Sequence, residues 1–261
     1  MSLTQQTIDY LLYRARSFKL HGVHSPFVFN LYNHVIRHDG AFYAYPRVEA
    51  VRGKLLTDNR SIEVTDFGAG SKTINHKTRK VANIARTSAK PAKYSQLLFR
   101  LVNHFQPKYV FELGTSLGIT TAYLAEAVRK AQVYTFEGCP TIAGVAKENF
   151  EYLHLRNITQ IIGNLDETLQ TQLQQLPQLD FAFFDGNHRY EPTMRYFTQC
   201  LTRVHEGSVF VVDDIYWSSE MKRAWQEIKK HPQVGQTIDL YFVGLVCFRT
   251  TQPKEHFTLA F

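Results

Sequence analysis

Two short stretches gather side chains that could handle a proton or a cation: FFDGNHRY (183–190) and VVDDIYW (211–217). Each begins as an apolar run that reads as a buried strand and breaks into carboxylates where that strand would end. Asp185, Asp213 and Asp214 would then stand together at the carboxyl edge of a sheet. Three hard oxygen ligands with room for water and a substrate suit Mg²⁺ or a similar divalent cation. His188, three residues after Asp185, could act as a general base near neutral pH. Plainer roles compete: strand-end acids cap helices or hold a ligand's amino group, a loop histidine can simply hydrogen-bond, and Trp217 can be a core residue.

Two glycine-rich turns could hold a nucleotide cofactor, DFGAGSKT (66–73) and FELGTSLGITTAYLA (111–125). A ribose needs more than glycine. It needs a carboxylate at the tip of the next strand to accept from both hydroxyls. After Asp66 no acidic residue occurs until Glu112, so the first stretch reads as a tight turn in which glycine supplies positive φ. The second passes: Gly114 and Gly118 flank a turn, and Glu137 ends VYTFE (133–137), roughly the expected twenty residues on. Its G-x-x-x-G spacing lacks the three-glycine fingerprint that lays backbone against a pyrophosphate, which argues against a dehydrogenase.

From Tyr109 onward the sequence supplies the frame these residues need. Strand patterns at YVFEL (109–113), VYTFE, NITQII (157–162), LDFAFFD (179–185) and SVFVVDD (208–214) alternate with helical ones. The helix near Pro192 is marked by Met194, Phe197, Leu201 and Val204, and the next by Met221, Trp225 and Ile228. TIDLYFV and LVCFR, separated by Gly244, read as a hairpin. The expectation is an α/β, Rossmann-like fold: a seven-stranded, mostly parallel sheet with a C-terminal antiparallel hairpin and ligands at the strands' carboxyl ends. Residues 1–93 read as a helical N-terminal extension or lid, with Ile8, Leu11, Leu12 and Ala15 at helical spacing, and 94–261 as the ligand-binding domain. Ser25-Pro26 is a helix start that His21 and His24 would support, while Phe42, Tyr43 and Tyr45 suit either a ligand pocket or core packing.

With 261 residues, 44% of them apolar, the chain can bury a full core. Cys139, Cys200 and Cys247 are widely spaced and read as free buried thiols. No apolar run is long enough to span a bilayer and the N-terminal residues lack the features of a secretory signal, so a cytoplasmic protein is expected. The net charge of +7 arises from one segment: Lys72, Lys77, Arg79, Lys80, Arg86, Lys90, Lys93 and Arg100 occur between 71 and 100 without an acid. Such a block could face an acidic substrate or RNA, but with aromatic residues only at its end, Tyr94 and Phe99, and none among the other charges, a solvated helix face is the plainer reading.

Glu112-Leu-Gly114-Thr-Ser-Leu-Gly118, followed by Glu137, resembles the E/D-x-G-x-x-x-G motif and ribose acid of class I S-adenosylmethionine-dependent methyltransferases, over residues 94 to about 250. The resemblance implies that Glu112, Gly114, Thr115, Ser116 and Gly118 lie against the methionine end of S-adenosylmethionine. Glu137 would hold the ribose, Gly163 and Asn164 would border the adenine, and Asp185 would lie beside the cofactor. The strand ends are similar to those of metal-dependent O-methyltransferases of the catechol and caffeoyl-coenzyme A type, and DGNHRY resembles a bacterial branch that modifies antibiotics and sugars. Asp185 falls on that family's first metal carboxylate, Asp213-Asp214 on its Asp-Asn pair and Trp217 on its tryptophan, while His188 replaces a catalytic lysine. The implied function is O-methylation of a small molecule, assisted by Mg²⁺ or another divalent cation, with a homodimer left open.

Other readings remain. The D/N-P-P-Y/F signature of exocyclic amine methylation is absent, and Cys139-Pro140 has the wrong order and place for cytosine-5 chemistry. Ribose O-methylation of RNA through the basic segment stays open, as does a cofactor-binding module without catalysis.

Overall fold

A computed structural model describes residues 3–17, 24–66 and 75–261. Leu3–Arg16 forms α1, Pro26–Leu31 forms α2 and runs into a π-helical turn at Tyr32–Ile36, and Ala44–Thr57 forms α3. Strands β1 (Ser61–Asp66) and β2 (Asn75–Lys80) precede α4 (Val81–Ser88) and α5 (Ala92–Phe105). Strand and helix then alternate through β3 (Tyr109–Leu113), α6 (Ile119–Ala127), β4 (Gln132–Glu137), α7 (Pro140–Tyr152), β5 (Ile158–Ile162) and α8 (Leu165–Gln174). The pattern continues with β6 (Phe181–Phe184), α9 (Tyr190–Leu201), β7 (Val209–Asp213) and α10 (Ser219–Lys230), and β8 (Gln236–Asp239), β9 (Val243–Cys247) and β10 (Glu255–Thr258) complete the series. The chain forms two compact units, Met1–Arg37 with Leu173–Phe261, and His38–Gln172. The boundary expected at 93/94 therefore falls inside the second unit.

In that second unit β3, β4 and β5 run parallel, with Leu113 opposite Phe136 and Glu137 opposite Ile162. The strand ends are thus level, which puts the turns that follow them side by side. Every residue of α6 is buried, the polar Thr120, Thr121 and Glu126 included. Phe42 and Tyr45 pack on Phe99, with ring centroids 5.1 and 5.4 Å apart; Tyr45 is core, Phe42 is half-buried and Tyr43 is exposed. The N-terminal region is not wholly helical: β1 and β2 pair antiparallel from Ser61↔Lys80 to Asp66↔Asn75. SIEVTD is held by the start of α7, where the Thr65 N–H donates to Cys139 Sγ at 3.2 Å and Thr141 donates to the Glu63 carbonyl. The Gly68-Ala69-Gly70 bend, Lys72 and His21 lie outside the described residues. Lys77, Arg79 and Lys80 are exposed on β2, whereas Arg100 is buried and donates to the Tyr45 hydroxyl at 3.3 Å.

In the first unit the strand order is β10-β8-β9-β7-β6. β6 and β7 are parallel, β9 is antiparallel to both β7 and β8, and β10 adds a parallel edge strand beyond the hairpin. The hairpin exists, but its turn is Leu240–Phe242, with Tyr241 at φ +70°, and Gly244 lies inside β9 opposite Asp239. Gly244 is there for another reason: a Cβ would come within 2.6 Å of the Trp225 indole. Trp225 belongs to the buried stripe Met221, Ala224, Trp225 and Ile228 of α10, whose start is capped by Ser218 Oγ accepting from the Met221 N–H at 3.1 Å.

Ser25 caps α2 with Pro26 at the first turn, as the sequence suggests. The apolar stripe of α1 does not face inward. Ile8, Leu11 and Leu12 are exposed, and the opposite face is anchored by the Lys222–Asp9 ion pair at 2.6 Å, Tyr13 Oη donating to the Leu259 carbonyl and Tyr241 Oη donating to the Gln6 carbonyl. Cys139, Cys200 and Cys247 are free and buried. Among the described residues no helix is long and apolar enough to cross a membrane.

Candidate functional site

The glycine turn after β3 folds around a hydrogen-bonded anchor. The Gly114 and Thr115 N–H groups donate to the Phe136 carbonyl at 3.1 and 2.9 Å, and the Gly118 N–H donates to the Thr115 carbonyl at 2.9 Å. This closure needs left-handed backbone at Ser116 (φ +47°) and Gly118 (φ +79°). Gly118 also begins α6 against Phe150, whose ring would lie 2.5 Å from a Cβ at that position. Only glycine meets both demands.

Glu137, at the end of β4, closes the turn from the neighbouring strand. Its Oε2 accepts from the Ser116 N–H at 2.9 Å and its Oε1 from the Cys139 N–H at 3.0 Å. Burial pushes its carboxyl above the usual range, opposed by the backbone amides of Cys139, Ser116 and Gly138. A carboxylate has about four lone-pair sites, so these two bonds leave acceptor capacity on each oxygen for a ligand's hydroxyls. The Gly163 N–H donates to the Glu137 carbonyl at 2.9 Å, and Gly163 has φ +139°. Asn164 caps the start of α8, its Oδ1 accepting from the Asp166 N–H at 3.1 Å. Glu112, Gly114, Thr115, Ser116, Gly118, Glu137, Gly163 and Asn164 are thus brought together by the level ends of β3, β4 and β5.

Glu112 takes a different place from its neighbours. It is fully buried, and its Oε2 accepts from Thr135 Oγ1 at 2.6 Å and from the Thr121 hydroxyl, while Thr115 and Thr135 hydroxyls meet at 2.6 Å. Oε1 has no hydrogen-bond partner among the described residues. Burial pushes the carboxyl up to about 8, the two threonines oppose that shift, and the Glu137 charge adds to it. A buried oxygen without a donor penalises the ionised form of Glu112. Thr121 and Thr135 escaped the sequence reading because a threonine in a strand or helix carries no motif.

In the other unit, β6 and β7 are parallel with Phe184 opposite Val212, which sets Asp185 and Asp213 level at their ends. Asn187 and Asp214 take φ of +57° and +52°, a conformation their residue types tolerate. The loop after β6 returns His188 beside Asp185, with Nε2 3.6 Å from Asp185 Oδ1 and Nδ1 3.9 Å from Asp214 Oδ2. Both separations are longer than hydrogen bonds. One potential ligand atom from each of Asp185, His188 and Asp213 lies within 4.8 Å of the other two. Asp213 is buried, and His188 joins this group where the sequence suggested Asp214. Trp217 is not a core residue: it is 58% exposed.

Residues 111–215 match a family model described as a methyltransferase domain. The chain is 30% identical over 131 residues to a catechol O-methyltransferase of Niastella koreensis, covering 49% of this chain and 57% of that protein. It thus spans little more than half the length of that curated relative. Its fold is similar to a solved, S-adenosylhomocysteine-bound Podospora anserina methyltransferase, with a TM-score of 0.59 and 13% identity over 95% of this chain and 98% of that one. It is also similar to an O-methyltransferase from Bacillus cereus solved with S-adenosylhomocysteine, with a TM-score of 0.57 and 17% identity over 83% and 94% of the two chains. These likenesses establish a Rossmann-like α/β fold with a mostly parallel sheet.

Proposed function

We propose that this chain, whose residues 111–215 match a methyltransferase domain model, is a class I enzyme that transfers the methyl group of S-adenosylmethionine to a hydroxyl of a small molecule. The observation that carries the reading is the join between the glycine turn and Glu137 through the Ser116 N–H at 2.9 Å. It holds a carboxylate beside bare backbone, the pairing required by a ribose diol next to an amino-acid tail. Cofactor binding is assigned to the second unit, through Gly114, Thr115, Ser116, Gly118, Glu137, Gly163 and Asn164. Glu112, held by Thr121 and Thr135, supports the turn from the strand before it.

Transfer breaks the sulfonium S–CH₃ bond, forms an O–CH₃ bond and releases the hydroxyl proton, so the acceptor oxygen must be aligned and deprotonated. His188 is the base: Nδ1 takes the proton, and the Asp185 carboxylate, 3.6 Å from Nε2, stabilises the imidazolium that forms. Asp185 and Asp213, with either His188 or Asp214, have the donor types of a divalent cation site, carboxylate oxygen with or without imidazole nitrogen. Such a cation, when bound, would lower the pKa of the acceptor hydroxyl. The remaining products are S-adenosylhomocysteine and a methyl ether. The test supplies methyl-labelled S-adenosylmethionine with a panel of hydroxylated small molecules, with and without Mg²⁺. Label must appear in a methyl ether, and S-adenosylhomocysteine must form in equal amount. Tight cofactor binding without turnover across the panel would instead indicate a binding module.

A further inference from the structure

We propose that Cys139 is a positioning residue for the cofactor's ribose: it fastens the outer edge of β1 to Glu137, so that docking of the β1–β2 hairpin and binding of a ribose diol strengthen each other. The proposal rests on the methyl-transfer reading above. Cys139 follows Glu137 by two residues and is bonded in two directions. Its N–H donates to Glu137 Oε1 at 3.0 Å, and its Sγ accepts from the Thr65 N–H at 3.2 Å.

The protons around the sulfur can be assigned. Thr141 has one hydroxyl proton and donates it to the Glu63 carbonyl. Across the 3.0 Å contact between Cys139 Sγ and Thr141 Oγ1 the thiol is therefore the donor. The result is a one-way chain that runs from the Thr65 N–H to Sγ, from S–H to Thr141 Oγ1, and from the Thr141 O–H to the Glu63 carbonyl. Glu63 and Thr65 are two apart on β1, so their carbonyl and N–H lie on one edge, the one turned away from β2. Cys139 and Thr141 thus supply the donor and acceptor that a third strand would supply, to a two-stranded sheet that is marginal alone in water.

The hairpin is also aimed at the cofactor turn. Arg60, just before β1, lies 2.9 Å from Glu148 of α7, whereas Thr65 meets Cys139 at the helix start, so β1 runs along α7 toward Glu137. Arg60 and Glu148 are both exposed, and their pair sets direction more than stability. The Glu137 carboxylate is consequently fixed from two sides. The glycine turn holds Oε2 through the Ser116 N–H, and the hairpin, through the thiol, holds the residue whose N–H binds Oε1. A diol that needs both oxygens in place selects the docked hairpin, and by reciprocity tightens it. Serine at 139 keeps one donor and one acceptor in this chain, whereas alanine keeps neither.

The probes are S-adenosylhomocysteine and its 2′,3′-dideoxyribose analogue, titrated by calorimetry into the full chain. The wild type should bind S-adenosylhomocysteine at least about tenfold more tightly than the analogue. Cys139→Ala and Thr141→Val should each lose about fivefold or more in affinity for S-adenosylhomocysteine while staying within about twofold of wild type for the analogue, which also shows that they are folded. Cys139→Ser should stay within about twofold of wild type for both ligands. In hydrogen exchange, S-adenosylhomocysteine should slow the amides of residues 61–66 at least about threefold in the wild type and not in Cys139→Ala. Unchanged S-adenosylhomocysteine affinity in both Cys139→Ala and Thr141→Val, equal weakening of the two ligands, a serine variant as weak as alanine, or no slowing of exchange in the wild type overturns the proposal. Failure of the wild type to bind S-adenosylhomocysteine, or equal wild-type affinity for the two ligands, overturns the cofactor reading instead.

Discussion

The backbone N–H of Ser116 lies 2.9 Å from Glu137 Oε2, so the turn after β3 is fastened to the carboxylate that ends β4. Removing that carboxylate frees the turn and takes away the proposed ribose acceptor together. Glu137→Ala should abolish cofactor binding in calorimetry. Asp185→Ala, in the other unit, should leave that binding unchanged and lower kcat by roughly 10²–10⁴-fold. Turnover that survives Asp185→Ala would remove Asp185 from the chemistry.

Glu112 gives a pH dependence whose sign can be worked out. Its folded value of about 8 lies above the ordinary 4.5, so between these values the folded state binds more protons than the unfolded one. Stability attributable to this group is complete below about 4.5 and is lost as pH rises through about 8. Glu112→Gln keeps an acceptor for Thr121 and Thr135 and cannot ionise. Urea unfolding at pH 5 and pH 8 should show the variant gaining on the wild type by an amount on the order of a few kcal/mol at the higher pH. An identical difference at both pH values would mean that Glu112 is ionised in the fold.

Gly118→Ala meets two obstacles, the positive φ and the Phe150 ring. It should cost about 1–3 kcal/mol in denaturant unfolding and weaken cofactor binding. The pair Gly118→Ala with Phe150→Leu should recover part of the loss and no more, because the backbone conformation stays unfavourable. Full recovery would assign the whole effect to the ring.

For the proposed cation site, Mn²⁺ serves as a paramagnetic probe whose binding is read directly by electron paramagnetic resonance. Asp213→Asn should reduce Mn²⁺ affinity at least about tenfold while thermal unfolding stays cooperative. Wild-type affinity in that variant would show that Asp213 does not ligate the ion.

Much of the frame was legible because strands such as FAFF and VFVVD are continuous apolar runs, which only a covered sheet accommodates. The β1–β2 pair was not, because NHKTRK has no apolar side to betray a strand and SIEVTD is held by Cys139 and Thr141, far away in sequence. Gly244 misplaced the hairpin turn: it looks like punctuation, yet its role is to make room for Trp225. At the candidate site, spacing alone pointed to Glu137, whereas the threonines around Glu112 depend on segments that only folding brings together. Trp217, which falls on the family's tryptophan and for which core packing is the plainer alternative, is exposed; one tryptophan carries no periodicity from which to read its direction.

The inverted α1 shifts how that helix answers to temperature and salt. With Ile8, Leu11 and Leu12 pointing outward, its attachment combines the Tyr10 and Tyr13 rings against Tyr241 with an ammonium–carboxylate contact and two phenol–carbonyl links. Chilling should therefore loosen the ring contacts, while concentrated electrolyte weakens the contact between Lys222 and Asp9 and drives the oily outer strip toward adsorption on hydrophobic media.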